Sequence, residues 1–134
     1  MGAWSHEPFG NDDANDWAYE LEEVNDLSLV EAALDAVLDA EGYLEAPEAT
    51  CGVAAVEVLA RLLGKGTQSD AYTKKIDQWI KGVSATPSAD LLGKARAVLA
   101  RVRGDQSELR ELWHEGDPSE WEASLDSLDA AVSA

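Results

Sequence analysis

The chain has 134 residues, 46% of them hydrophobic, one cysteine and a formal net charge of −17. That length predicts a single domain with a core large enough to stand without cross-links, and a lone cysteine excludes an intrachain disulfide. The charge disfavours direct contact with a nucleic-acid backbone or an anionic membrane, and no apolar run approaches the roughly 20 residues of a membrane helix.

No basic segment followed by an apolar run opens the chain, so no signal peptide is expected. Met1-Gly2 is followed by His6 where a myristoylation motif needs Ser or Thr. A single free thiol fits a reducing cytosol.

Seven helices are expected in chain order. Asn11 is placed as an N-cap, with Asp12 and Asp13 in the first turn, where negative charge is favoured. Ala14, Trp17, Ala18 and Leu21 follow at helical spacing. Ser28 and Glu31 have the spacing of a capping box, Val30, Ala33, Leu34, Val37 and Leu38 form an apolar stripe, and Gly42 is a stop. The third helix should begin near Pro47 and end at Gly64. Its run CGVAAVEVLARLLG is apolar on most sides, interrupted by Glu57 and Arg61, and this marks a central helix.

GKGTQS reads as a loop. Asp70 can cap a fourth helix through Ile80, with Tyr72, Ile76, Trp79 and Ile80 inward. After the linker-like GVSATPS, Pro87 opens a fifth helix carrying Leu91, Leu92, Ala95, Val98, Leu99 and Val102, closed by Gly104. Asp105 and Glu108 make a second capping box, for a short helix bearing Leu109, Leu112 and Trp113. Asp117, Pro118 and Glu120 signal the start of the last helix, which presents Trp121, Leu125, Leu128 and Val132. No segment alternates as a strand should. The expectation is an all-α single domain over residues 1–134, a compact bundle or short array of about six to seven helices. A true repeat is disfavoured because the helix-ending glycines Gly42, Gly64 and Gly104 lack a fixed period.

The charge is segregated. Residues 1–60 hold 15 acidic and no basic residues, residues 61–110 hold all 10 basic and 5 acidic ones, and residues 111–134 hold 7 acidic ones. An acidic first half attracts basic partners. The alternative is that the basic middle lies against the acidic flanks inside the fold. Glu57–Arg61, Asp70–Lys74, Asp77–Lys81 and Asp90–Lys94 all have the acid-to-base i,i+4 order that supports a helix. Lys75, Arg96, Arg101, Arg103 and Arg110 are then left for the flanks.

Candidate chemistry is sparse. Asn11, Asp13, Asn15 and Glu22 fall at positions 1, 3, 5 and 12 of a calcium-loop pattern, but Asp16 stands where that loop needs glycine. The same residues read better as a capped amphipathic helix. His6, Cys51 and His114 are too scattered to predict zinc, and Cys51 on an apolar helix behaves as a small core residue. GKGTQS lacks the full phosphate-loop pattern. No metal or other cofactor is expected. Trp17, Trp79 and Trp121 sit on apolar faces and read as core; an exposed tryptophan would be a binding anchor.

The opening text MGAWSHEPFGNDDANDWAYELEE resembles a bacterial family known as domain of unknown function 4259. Its members typically begin Met-Gly-Ala-Trp-Gly, followed by a Phe, Asn-Asp and a further Asp. The resemblance continues through GVAAVEVLARLL and SELRELWHEGDPSEW. Two positions depart from it: Ser5 stands where glycine is usual, and Gly10 at a place often acidic. The resemblance implies a small bacterial cytoplasmic protein and no particular reaction. It singles out Trp4, Phe9, Asn11, Asp12, Asp13, Asp16 and Trp17 as motif and candidate interaction residues.

Trp4 and Phe9 are expected to pack onto the body near Trp17, because a flexible tail needs neither ring. The functional expectation is a non-enzymatic, acidic protein-binding module of immunity or inhibitor type, engaging a basic protein such as a toxin or nuclease. The alternatives are an enzyme using Glu7, Asp13 and Asp16, or a structural subunit that self-associates through exposed tryptophans.

Overall fold

The computed structural model describes residues 5–83 and 85–133. Helix α1 (Asp12–Leu21) begins as expected: Asn11 is extended and its side chain accepts the Ala14 N–H at 2.7 Å. Helix α2 spans Ser28–Leu38, but the Ser28 side chain does not cap it. Asp26 does the accepting instead, taking the Ser28 N–H at 3.0 Å and the Ser28 hydroxyl at 2.6 Å. These two bonds hold the Asp26 carboxyl below its usual range. Leu38, expected inside, is exposed, and Gly42 lies in the loop beyond the helix end, with φ +72°.

Helix α3 (Ala46–Leu62) has Pro47 in its first turn. Every residue from Ala49 to Ala60 except Cys51 is buried. It packs against α1, α2, α4, α5, α6 and α7, so the helix apolar on most sides is the axle of the fold. Gly64 follows it at φ +76°, a left-handed conformation that glycine adopts without the Cβ penalty.

Asp70 caps a 3₁₀ turn (Ala71–Thr73), not an α-helix directly. Its side chain accepts the Tyr72 N–H while Thr73 Oγ1 accepts the Asp70 N–H. Helix α4 (Lys74–Lys81) follows, with Ile76 and Trp79 buried and Ile80 half-buried. Tyr72, expected inward, is exposed. The Trp79 indole N–H donates to the Val24 carbonyl at 2.7 Å, pinning the α1–α2 connection.

Helix α5 (Ala89–Arg103) is capped by Ser88, whose hydroxyl accepts the Leu91 N–H; Pro87 sits before the cap, buried. Helix α6 (Glu108–Trp113) is capped by Ser107, not by Asp105. Glu108 instead acts at longer range. Its carboxylate accepts the Ala46 N–H at 2.7 Å, capping α3 from 62 residues away. Beside it, Leu44 and Ser107 form an isolated parallel bridge. Gln106 is held at φ +58° there, and its carbonyl accepts the Leu44 N–H at 2.7 Å. Helix α7 (Ser119–Val132) starts where Asp117 accepts the Ser119 N–H.

The result is all-α, with seven α-helices and no strand among the described residues. Of the four expected i,i+4 pairs, Glu57–Arg61 forms at 2.9 Å and the other three do not. Lys94 turns away from Asp90 and clamps α5 to α2 through Glu31 (2.8 Å) and Asp35 (2.9 Å). Arg103 does the same toward α7 through Glu122 (3.1 Å) and Asp126 (2.8 Å), and Arg96 lies 3.5 Å from Asp129. Arg101 spends its guanidinium on the carbonyls of Gly42, Asp105 and Gln106.

Candidate functional site: a pocket beneath the N-terminal segment

Residues 5–10 fold into a tight loop. The Gly10 N–H donates to the Glu7 carbonyl at 3.0 Å, the Ser5 N–H to the Gly10 carbonyl at 3.3 Å, and the Glu7 N–H to Ser5 Oγ at 3.2 Å. Phe9 is thereby driven fully into the core. Asn15 fastens the loop to α1, donating to the carbonyls of Phe9 (2.9 Å) and Asn11 (2.7 Å).

A buried polar network holds the other side. The Phe9 N–H donates to Gln68 Oε1 at 2.8 Å, and Gln68 Nε2 donates to Asp70 at 2.9 Å. Gln68 is placed by Glu57, which is fully buried on α3 and accepts from the Thr67 N–H (3.0 Å), the Thr67 hydroxyl (2.6 Å) and the Gln68 N–H (3.2 Å). Arg61 closes the circuit. It binds Glu57, the Gln68 carbonyl and, through two nitrogens, Asp77. Burial alone would lower the Arg61 pKa, but its bonds to Asp77 and Glu57 raise it. A buried carboxylate is tolerable because donors and a counter-ion surround it.

Between this loop and the helices lies a pocket of about 60 Å³. Ser5, His6, Glu7, Pro8, Asn11 and Asp13 form its outer wall; Ala46, Thr50 and Val53 of α3, Leu109, Leu112 and Trp113 of α6, and Trp121 of α7 form the rest. Trp113 and Trp121 are stacked, with ring centroids 6.4 Å apart and planes 11° from parallel. His6 Nδ1 faces Glu120 at 3.2 Å. Thr50 is 7% exposed, and its hydroxyl has no hydrogen-bond partner among the described residues. The half-buried Glu7 carboxylate likewise has no cation against it among the described residues.

The motif residues divide into three groups. Phe9 and Trp17 are buried in the core. Asn11 and Asp13 reach the pocket wall. Asp12 and Asp16 are exposed on α1 and do not line it. Trp4 lies outside the described residues. Of the carboxylates considered for an enzyme, Glu7 and Asp13 meet at the pocket and Asp16 does not.

Thr50, Trp113 and Trp121 are site residues that sequence reasoning did not assign. The signal for the two tryptophans was the later text SELRELWHEGDPSEW, which places Leu109, Leu112, Trp113 and Trp121 within one family-like stretch, whereas nothing in the sequence marked Thr50. Asn11 and Asn15 of the calcium-like pattern are engaged with backbone groups, and no cluster of three or more His, Cys, Asp or Glu among the described residues is arranged to hold a metal. Cys51 is half-buried near Asp13. Burial, then the charges of Asp13, Glu20, Glu48 and Asp16, push its thiol up to about 12. Tyr43 is also pushed up to about 12, first by its 2.8 Å hydrogen bond to Glu111.

The fold and pocket define an all-helical domain whose own N-terminal segment walls a cavity. The chain belongs to the family described as Domain of unknown function (DUF4259), whose model matches residues 2–124. No curated protein and no solved structure matches it. No helix among the described residues is long and apolar enough to cross a membrane.

Proposed function

We propose that this protein is a cytoplasmic binding module that docks a basic partner protein on the outer face of α1, with inhibition of a basic toxin or nuclease as the concrete form. The supporting observation is where the cations go. Lys94 serves α2, Arg96 and Arg103 serve α7, and Arg61 serves Glu57 and Asp77. Asp12, Asp13, Asp16, Glu20, Glu22 and Glu23 are all exposed, and none has an ion-pair partner among the described residues. Lys75 lies over the Tyr19 ring of α1 at 4.1 Å and not on a carboxylate.

Such a predominantly acidic face repels nucleic-acid backbones and steers basic proteins toward it. The test is retention of a basic partner by the full chain at low and high salt, for the wild type and for Asp16→Lys/Glu20→Lys. The reading expects retention that falls with salt and is lost in the variant. Retention indifferent to both, or no basic protein bound at low salt, counts against it.

A further inference from the structure

We propose that the pocket beneath the N-terminal segment receives a lysine side chain of the docked partner. This deepens the docking reading and rests on it. Size restricts the guest first. A pocket of about 60 Å³ suits a narrow guest, on the scale of the four methylenes and ammonium of a lysine side chain. A nucleotide or other drug-sized ligand needs about 300 Å³ or more.

Chemistry restricts it next. Val53, Leu109 and the stacked Trp113–Trp121 pair offer an apolar sleeve and aromatic faces, both suited to an alkyl stem with a cationic end. Thr50 as a residue is nine-tenths buried and lines this cavity, and its hydroxyl makes no hydrogen bond among the described residues, so an ammonium donor would supply one. Glu7 and Asp13 stand at the wall without counter-ions among the described residues. His6, also at the wall, faces Glu120. Asp13 also belongs to the unpaired face of α1, so the docking surface and the pocket share an edge.

The experiment follows the indole N–H resonances of Trp113 and Trp121 in the full-length protein, assigned with Trp113→Phe. Three probes are titrated at low salt: decalysine, butylammonium and the neutral 1-butanol of the same chain length. The inference expects decalysine and butylammonium to shift both indoles and 1-butanol to leave them in place. Glu7→Gln should weaken the butylammonium effect about tenfold, the loss of one charge-assisted contact. Glu7→Gln leaves every hydrogen bond of the N-terminal loop intact, since Glu7 contributes only backbone groups to it.

Salt-sensitive decalysine binding that leaves both indoles unmoved overturns the pocket assignment while the α1 docking reading stands. Butylammonium shifts without decalysine shifts overturn the lysine source, because the pocket then takes a free amine. If decalysine does not bind at all at low salt, the docking reading and this inference fail together.

Discussion

A β-carbon placed on Gly10 would lie 2.0 Å from the Ser5 hydroxyl oxygen and 3.1 Å from Ser5 Cβ. Ser5 and Gly10, the two positions singled out as departing from the pattern that the resemblance implies, are therefore in contact. A side chain at position 5 fills the space a side chain at position 10 would need. Gly10→Ala alone should cost about 1–3 kcal/mol as an overpacking substitution. Ser5→Gly/Gly10→Ala should recover most of that loss. Urea unfolding of the two singles and the double measures the coupling, and additive losses would show that the contact does not govern either position.

The Phe9 ring and backbone are both committed. Phe9→Ala should cost about 3–5 kcal/mol, the range for emptying a buried aromatic site. Gln68→Ala, which strands the buried Phe9 N–H, should cost about 1–3 kcal/mol. Thermal or urea denaturation checks both; a loss under about 0.5 kcal/mol for Phe9→Ala would place that ring at the surface.

Glu57 and Arg61 form a unit whose members are worse alone than absent together. Arg61→Ala leaves a fully buried carboxylate without its cation and should cost about 3–5 kcal/mol. Glu57→Leu/Arg61→Met should cost clearly less than the sum of its two singles. A complete double-mutant cycle in urea reads the difference.

Like charges on α1 oppose its own folding. Asp12, Asp16 and Glu20 succeed one another at i,i+4, an arrangement that costs a few tenths of a kcal/mol per pair. Asp16→Lys should raise stability by about 0.5 kcal/mol while weakening a basic partner. If Asp16→Lys destabilises the domain, the repulsion argument is wrong.

The Cys51 thiol should be unreactive in the folded protein. Its pKa stands at about 12, above its ordinary 9.0, chiefly through burial. The protonated form is thus favoured by folding: that contribution is complete below about pH 9 and is lost as pH rises toward 12. At pH 8 the thiolate fraction, and with it alkylation by iodoacetamide, should be roughly a thousandfold below that of the unfolded chain. Rates measured with and without denaturant test this, as does the expected fall in pKa when Asp13 or Glu20 is neutralised.

The elements legible in the sequence were those fixed by local physics. Asn11 caps α1 because its acceptor reaches an N–H three residues on, and α3 is central because apolar residues surround it. What misled was text that satisfied a local pattern while a distant group competed for it. Glu108 has capping-box spacing from Asp105, yet it caps α3. Lys94 has the right spacing from Asp90, yet two carboxylates of α2 claim it. The pocket was legible only in pieces. Motif residues Asn11 and Asp13 were identified, but Thr50, Trp113 and Trp121 join them only once α3, α6 and α7 are packed. The interruption of an apolar helix by Glu57 and Arg61 was visible, and its meaning depended on a loop whose conformation the sequence does not dictate.

The acceptor for the Phe9 N–H belongs to a side chain that stands in position only after the Thr67–Gln68 loop has wrapped around Glu57. The seating of residues 5–10 therefore depends on the conformation of the Thr67–Gln68 loop. Hydrogen exchange at the Phe9 amide should report an opening that leaves the helices intact, and a protease should find the N-terminal segment before any other buried backbone. Opening of residues 5–10 would also open the pocket, so exchange at the Phe9 amide and resistance to proteolysis become two readings of one local equilibrium.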